Sequence, residues 1–226
     1  MVSNLYPDKF SKIGNSSLSY QFAVFLCRLL FTGFYKTEVS GIENIPINRG
    51  FILACNHQSF LDPPMVGCFL NRPIAYFARD TLFKKGFVSW FLKQIYTIPV
   101  KRDAPSDVNA IKTVLKILKQ GGGVLFFPEG TRSEGEDLMT PQKGIGLIAC
   151  KSKTIVLPAR VFGTGKGLSR NNKHFSWQTP LSIHYGQCLY FDDYDPGKTH
   201  PDRYQEVSNR IMNAIGAISK PFNDPL

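Results

Sequence analysis

Two short apolar runs limit what this chain can fold into. Phe51-Ile52-Leu53-Ala54-Cys55 and Val124-Leu125-Phe126-Phe127-Pro128 carry no charge, and each stops abruptly in polar residues. About five apolar residues between turn signals are too few for a buried helix and read as a strand covered on both faces. Gly50 precedes the first run, and Gly121-Gly122-Gly123 both ends a helix and opens the second. That helix starts at a Ser106 or Asp107 cap and runs to Gln120. Its inward stripe is Val108, Ile111, Leu115 and Leu118, with Lys112, Lys116 and Lys119 in water. Further strands are expected over 73–78, 95–102, 154–162 and 181–191, and a short one within 35–48. Pro99 places its strand at an edge or a bulge. A last helix is expected over 202–220, with Tyr204, Val207, Ile211, Ile215 and Ile218 inward. Strands alternating with helices argue for an α/β fold, a mixed or mostly parallel sheet covered by helices in a single domain.

The first run ends in Asn56-His57-Gln58-Ser59, and Asp62-Pro63-Pro64 follows. An aspartate ahead of two prolines suits a helix N-cap, so the helix is expected from Pro63 to about Leu70, with Met65, Val66 and Phe69 as core. His57 and Asp62 are five residues apart. On one helix they would point roughly 140° from each other. In a turn the carboxylate folds back onto the imidazole, fixes its tautomer at Nδ1 and leaves Nε2 with a free lone pair. His57 is thereby a candidate general base and Asp62 its partner. The second run delivers Glu129-Gly130-Thr131-Arg132-Ser133. Ligands of α/β sheets bind outside the strands' carboxyl ends, so this loop should face His57. Arg132 offers a planar fork for a phosphate dianion, Thr131 and Ser133 add hydroxyl donors, and Gly130 permits close backbone approach. A carboxylate beside a phosphate site repels the ligand, so Glu129 is assigned to positioning Arg132 or a substrate hydroxyl rather than to proton transfer.

Asn56-His57-x-x-x-x-Asp62 followed by Phe127-Pro128-Glu129-Gly130-Thr131-Arg132-Ser133 resembles the lysophosphatidic acid acyltransferase branch of the glycerolipid acyltransferases, over roughly residues 40 to 190. The resemblance implies acyl transfer from a thioester, on coenzyme A or acyl carrier protein, to the free hydroxyl of a lysophospholipid. It adds Arg102, at the end of the 95–102 strand, and Lys143, of Lys143-Gly144, as phosphate contacts. It also matches Pro158 to a proline-bearing strand that is structural or binds the acyl group. Acylation of glycerol phosphate itself or of another lysolipid shares this chemistry and stays open. A lipid ester or thioester hydrolase is a further alternative; no G-x-S-x-G occurs, and Cys55, two residues before His57, reads as core.

Lys+Arg is 27 against Asp+Glu 17, a net charge of +10, which calls for an anionic partner. An anionic membrane surface or a phosphorylated substrate satisfies it. A non-enzymatic membrane-binding module would too, but gives no reason for a His-Asp turn beside an arginine loop. The lysines of the 106–120 helix read as a solvated face, and no nucleic-acid partner is expected. Gly163-Thr164-Gly165-Lys166-Gly167 lacks the outer residues of a phosphate-binding P-loop and reads as a basic loop, with Arg170, Lys173 and His174 beyond it. Five scattered cysteines and four histidines show neither disulfide nor metal-ligand spacing. Reduced thiols, no metal and no cofactor are expected.

Residues 1–34 are set apart from the 35–226 domain. A polar tail precedes 18–34, which is apolar and aromatic but interrupted by Gln21 and Arg28. An uninterrupted span needs about 20 apolar residues. This segment reads as a helix lying in the membrane interface, Arg28 snorkelling to headgroups, or as a helix packed on the domain, with a transmembrane span as the third alternative. A membrane-associated protein at the cytoplasmic face is the expectation. Residues 79–93 form one more helical pattern. Leu82 and Phe87 are assigned to core, and Trp90 and Phe91 stay open between core and membrane.

Overall fold

The computed structural model describes residues 16–84, 86–100, 107–168, 176 and 179–220. In chain order the elements are α1 (Leu18–Leu29), β1 (Glu38–Ser40), β2 (Phe51–Cys55), α2 (Asp62–Cys68), β3 (Ile74–Arg79), α3 (Phe87–Gln94), β4 (Thr97–Val100), α4 (Val108–Lys119), β5 (Gly123–Phe126), α5 (Lys143–Ser152), β6 (Ile155–Phe162), α6 (Thr164–Gly167), β7 (Ser182–Tyr185), α7 (Phe191–Tyr194) and α8 (Arg203–Gly216). Short 3₁₀ turns lie at Ile42–Asn44 and Asp80–Phe83, and a π turn, Leu30–Phe34, continues α1.

Both apolar runs form strands at the centre of one sheet, ordered β1-β7-β6-β2-β5-β3-β4. All five side chains of β2 are buried, with Leu53 in register with Leu125 of β5 and Leu157 of β6, both parallel. Its pleat feeds two cores. Ile52 and Ala54 join Val114, Ile117, Ile148, Val207, Ile211 and Ile215. Phe51, Leu53 and Cys55 join Phe31, Tyr35, Met65 and Val66. Burial on both faces is why the run shows no polar alternation. The sheet is mostly parallel, as expected. Among the described strands only the β6–β7 pairing is antiparallel, and β1 follows β7. β4 closes the far edge, which accommodates Pro99.

Several local expectations shift. Asp107 does cap α4, accepting from the Ala110 N–H at 3.0 Å. The buried stripe, however, is Ala110, Val114, Ile117 and Leu118, while Val108 is exposed. The apolar arc is wide, and the sheet beneath it rather than the periodicity chose its centre. The 79–93 segment is two pieces broken at Gly86, whose φ of +115° no helix can continue through. Leu82 and Phe87, expected as core, are 49% and 74% exposed. The expected basic loop at 163–167 is the helical turn α6, entered through Gly163 at φ +80°. The expected 181–191 strand stops at Tyr185 and resumes only as a bridge at Leu189. On α8, Val207, Ile211 and Ile215 are buried, but Tyr204 is 39% exposed.

The reading of the N-terminal segment as a helix packed on the domain holds in part. Tyr20 and Phe31 are buried against the domain, while Leu18, Phe22, Phe25, Leu26 and Leu29 are uncovered. Arg28 does not snorkel. Its Nε and Nη2 donate to the carbonyls of Cys68 and Leu70, at 2.5 and 3.1 Å, where α2 ends with unpaired acceptors. No described helix is long and apolar enough to cross a membrane.

Candidate active site

The site begins where β2 runs out of ladder. Asn56 continues the ladder with its side chain, Oδ1 accepting from the Val161 N–H (2.8 Å) and Nδ2 donating to the Val161 carbonyl (3.0 Å). The amides of Gln58 and Ser59, freed by the turn, then need acceptors. One oxygen of Asp62 serves both, at 2.6 and 2.7 Å, and lies 2.8 Å from Nδ1 of His57. Asp62 is fully buried and is the first residue of α2; Leu61, not Asp62, is the N-cap. The capping expectation fails because these three donors, not α2's own first amides, hold the carboxylate. With Oδ2 accepting from Nδ1–H, Nε2 keeps its lone pair. The His57 side chain is 16% exposed, and its ring stacks on Phe127, centroids 4.0 Å apart.

Because β2 and β5 are parallel neighbours, with Ala54 beside Phe126, their loops emerge side by side. The two loops are stitched through the main chain of His57. Its N–H donates to Oε1 of Glu129 at 2.7 Å, and its carbonyl accepts from the Ser133 N–H at 2.8 Å and the Ser133 hydroxyl at 3.3 Å. The other oxygen of Glu129 accepts from the Met139 N–H at 3.1 Å. This corrects two assignments. Glu129, expected to serve Arg132 or a substrate hydroxyl, clamps the backbone of His57 and Met139. Ser133, expected to face a phosphate, is buried and turns its hydroxyl to protein carbonyls. Burial pushes the Glu129 carboxyl up, and the two amide bonds and His57 pull it back toward the ordinary range.

Arg132 lies on the His57 side of the sheet, its guanidinium 3.8 Å from the centroid of the Phe60 ring within the His57–Asp62 turn. Thr131 is half-buried beside it, and Gly130 is exposed at φ +69°, in the left-handed region glycine favours. Lys143, expected as a second phosphate contact, instead pairs with Asp202 at 2.9 Å, both exposed. Arg102 falls outside the described residues, as do Arg170, Lys173 and His174.

Four residues have roles that the sequence reading did not assign. Phe127 supports the ring. Gln58 donates to the Gly135 carbonyl (3.2 Å) and accepts from Thr164 (3.3 Å), tying the turn to both flanking loops. Ser59 donates to the Leu168 carbonyl at 2.7 Å, and Asn56 is the ladder substitute. Asn56 and Phe127 stood in the two motifs, and adjacency to His57 was the signal for Gln58 and Ser59. Cys55 is fully buried, and burial together with Asp62 and Glu129 pushes its thiol well up, so it stays protonated and no thiolate forms. No group of three or more His, Cys, Asp or Glu able to hold a metal occurs among the described residues. The arrangement is a tautomer-fixed imidazole, partly open to solvent, with a guanidinium at the same strand ends.

The acyltransferase family model matches residues 36–161. A 1-acyl-sn-glycerol-3-phosphate acyltransferase of Bacillus subtilis is 34% identical over 157 residues, 68% of this chain and 77% of the relative. A chloroplastic enzyme of the same name from Arabidopsis thaliana is 35% identical over 135 residues, 59% of this chain. The chain spans only 38% of that plant relative and 39% of its Brassica napus counterpart. The crystal structure of a 1-acyl-sn-glycerophosphate acyltransferase from Thermotoga maritima shares the fold, with a TM-score of 0.70 at 23% identity over 89% of this chain and 81% of that one.

Proposed function

Since this chain belongs to the acyltransferase family, we propose that it moves a fatty acyl group from a thioester, on coenzyme A or acyl carrier protein, to the free hydroxyl of lysophosphatidic acid, giving phosphatidic acid. The observation that carries the reading is the Nδ1–Asp62 bond of 2.8 Å, with Arg132 laid over the same turn. Nε2 of His57 takes the proton of the acceptor hydroxyl. The alkoxide attacks the thioester carbonyl, and the tetrahedral oxyanion collapses, breaking the C–S bond. The imidazolium returns the proton to the thiolate. Asp62 balances the imidazolium, and Arg132, with Thr131, holds the acceptor phosphate. A thiolate leaves readily, so base catalysis and positioning supply most of the rate.

The test is purified protein with lysophosphatidic acid and each thioester donor in turn. Phosphatidic acid is the expected product. Free fatty acid without acylated acceptor would refute transfer and favour the hydrolase. Arg132→Ala should raise the acceptor KM by about tenfold or more, the worth of one charge-assisted contact. An effect confined to the donor KM would move the phosphate site elsewhere. Glu129→Gln replaces an acceptor by an NH₂ facing a main-chain N–H, and is expected to lower kcat about tenfold with little change in acceptor KM. A rise in acceptor KM alone would return Glu129 to the substrate.

The setting we propose is a membrane surface on the cytoplasmic side. It is supported by the uncovered row Leu18, Phe22, Phe25, Leu26 and Leu29 on α1 and by the net charge of +10.

A further inference from the structure

Helix α3 is inside out for a helix in water. Its inward face is a serine: Ser89 is 5% exposed, and its hydroxyl donates to the Phe83 carbonyl at 3.1 Å. Its outward face is apolar: Phe87 is 74% exposed, Val88 56% and Trp90 50%. A surface helix normally buries such residues and exposes the serine. The rings pack on one another, Phe87 lying 5.6 Å from Trp90 and 6.3 Å from Phe91 between centroids, and form one patch that Leu82 of the preceding turn extends. Exposed Arg79, Lys84 and Lys93 flank the patch, and none of them forms an ion pair among the described residues.

We infer that α3 is a second membrane foot, separate from α1, whose apolar patch enters the headgroup boundary of an anionic bilayer while Lys84, Lys93 and Arg79 meet the lipid phosphates. Tryptophan and phenylalanine beside lysine are the chemistry of an interfacial helix, and the eight residues of α3 are far too short to span. A second copy of this chain is a worse occupant. A two-fold contact through the patch would bring the same unpaired cations of both copies together. α3 also joins the surface that α1 begins. Tyr20, Ala23 and Val24 of α1 and Phe91 and Leu92 of α3 help to wall one apolar cavity of about 300 Å³, so α1 and α3 are neighbours. The inference deepens the lipid reading above and rests on it only for what the foot serves.

The test uses the full chain with Trp177→Phe, which leaves Trp90 as the only tryptophan. Phosphatidylglycerol vesicles are expected to shift its emission to the blue, and brominated acyl chains to quench it. Phosphatidylcholine vesicles should do so at least about fivefold more weakly, the worth of one or two surface lysines. Lys84→Glu with Lys93→Glu should abolish that preference. Phe87→Ser with Val88→Ser should weaken vesicle binding by about tenfold or more, the transfer worth of two apolar side chains. Vesicle binding that leaves Trp90 emission and quenching unchanged overturns the inference, since α1 would then dock alone. A blue shift that grows with protein concentration in the absence of lipid overturns it in favour of self-association. Transfer to a short-chain, monomerically dispersed lysophosphatidic acid should be unaltered in these variants. Absence of transfer in the unsubstituted protein, with Trp90 still quenched, defeats the proposed function and leaves the foot standing.

Discussion

His57→Ala is expected to lower kcat for acyl transfer by at least about a hundredfold, the lower bound for a positioned general base. The side chain is 16% exposed and its main chain, not its ring, carries the stitches to Glu129 and Ser133. Those backbone bonds survive the substitution, so thermal stability should change little and the loss is attributable to chemistry. Acceptor KM should hardly move, because the proposed mechanism gives the anchoring of the substrate to Arg132 and not to His57. Single-turnover measurement at saturating donor checks this. Near-normal turnover in a folded variant would remove His57 from the reaction.

Asp62→Asn should cost about as much or more, by a different route. One oxygen of Asp62 accepts from Nδ1 of His57 and from two amides. An asparagine that keeps its oxygen on those amides offers the imidazole a neutral acceptor and no counter-charge for the imidazolium. One that turns its NH₂ toward His57 forces the proton onto Nε2 and removes the base. A comparable change in a Ser-His-Asp triad lowers kcat by roughly 10⁴, and a loss of about 10³ to 10⁴ is expected here. A stability loss of about 1–3 kcal/mol should accompany it, since buried amides are left with a poorer acceptor. Denaturant unfolding beside kinetics separates the two. Combining Asp62→Asn with His57→Ala should give little further loss, because the carboxylate acts on the reaction through the ring. Additive losses would mean that Asp62 touches the substrate independently.

The proposed reaction explains why the two apolar runs lie where they do. The base and the anion-binding loop must stand within one headgroup's length, and adjacent parallel strands achieve this with no other element between them. The stitching follows from the same proximity. Two loops that must present a base and a guanidinium to one ligand have little freedom, and Glu129, Ser133, Gln58 and Asn56 remove most of what remains.

Much of this was legible in the residues. β2 and β5 were visible as unbroken apolar runs because burial on both faces leaves no place for alternation. The His57–Asp62 pair was visible because a five-residue interval that fails on a helix works in a turn. Arg132 followed from the strand-end rule, and Pro99 predicted its edge. What was missed has a common cause. Periodicity tells that a segment has two faces and not which one is covered, so Leu82, Phe87 and Val108 were turned inward although all three stay largely exposed. A charged side chain is assigned to the nearest need in sequence, yet Lys143 found Asp202, 59 residues on, and Arg28 found carbonyls 40 and 42 residues away.

By itself, then, the sequence determined the strand-centred α/β architecture and the chemical groups that gather at its strand ends, since both are written in local patterns of burial and turn formation. Only the tertiary structure decided what each group holds. That Glu129 grips the backbone of His57 rather than a ligand depends on a bond across 72 residues. Such bonds are set by which strands lie side by side, and strand neighbourhood is a property of the whole sheet that no single segment encodes.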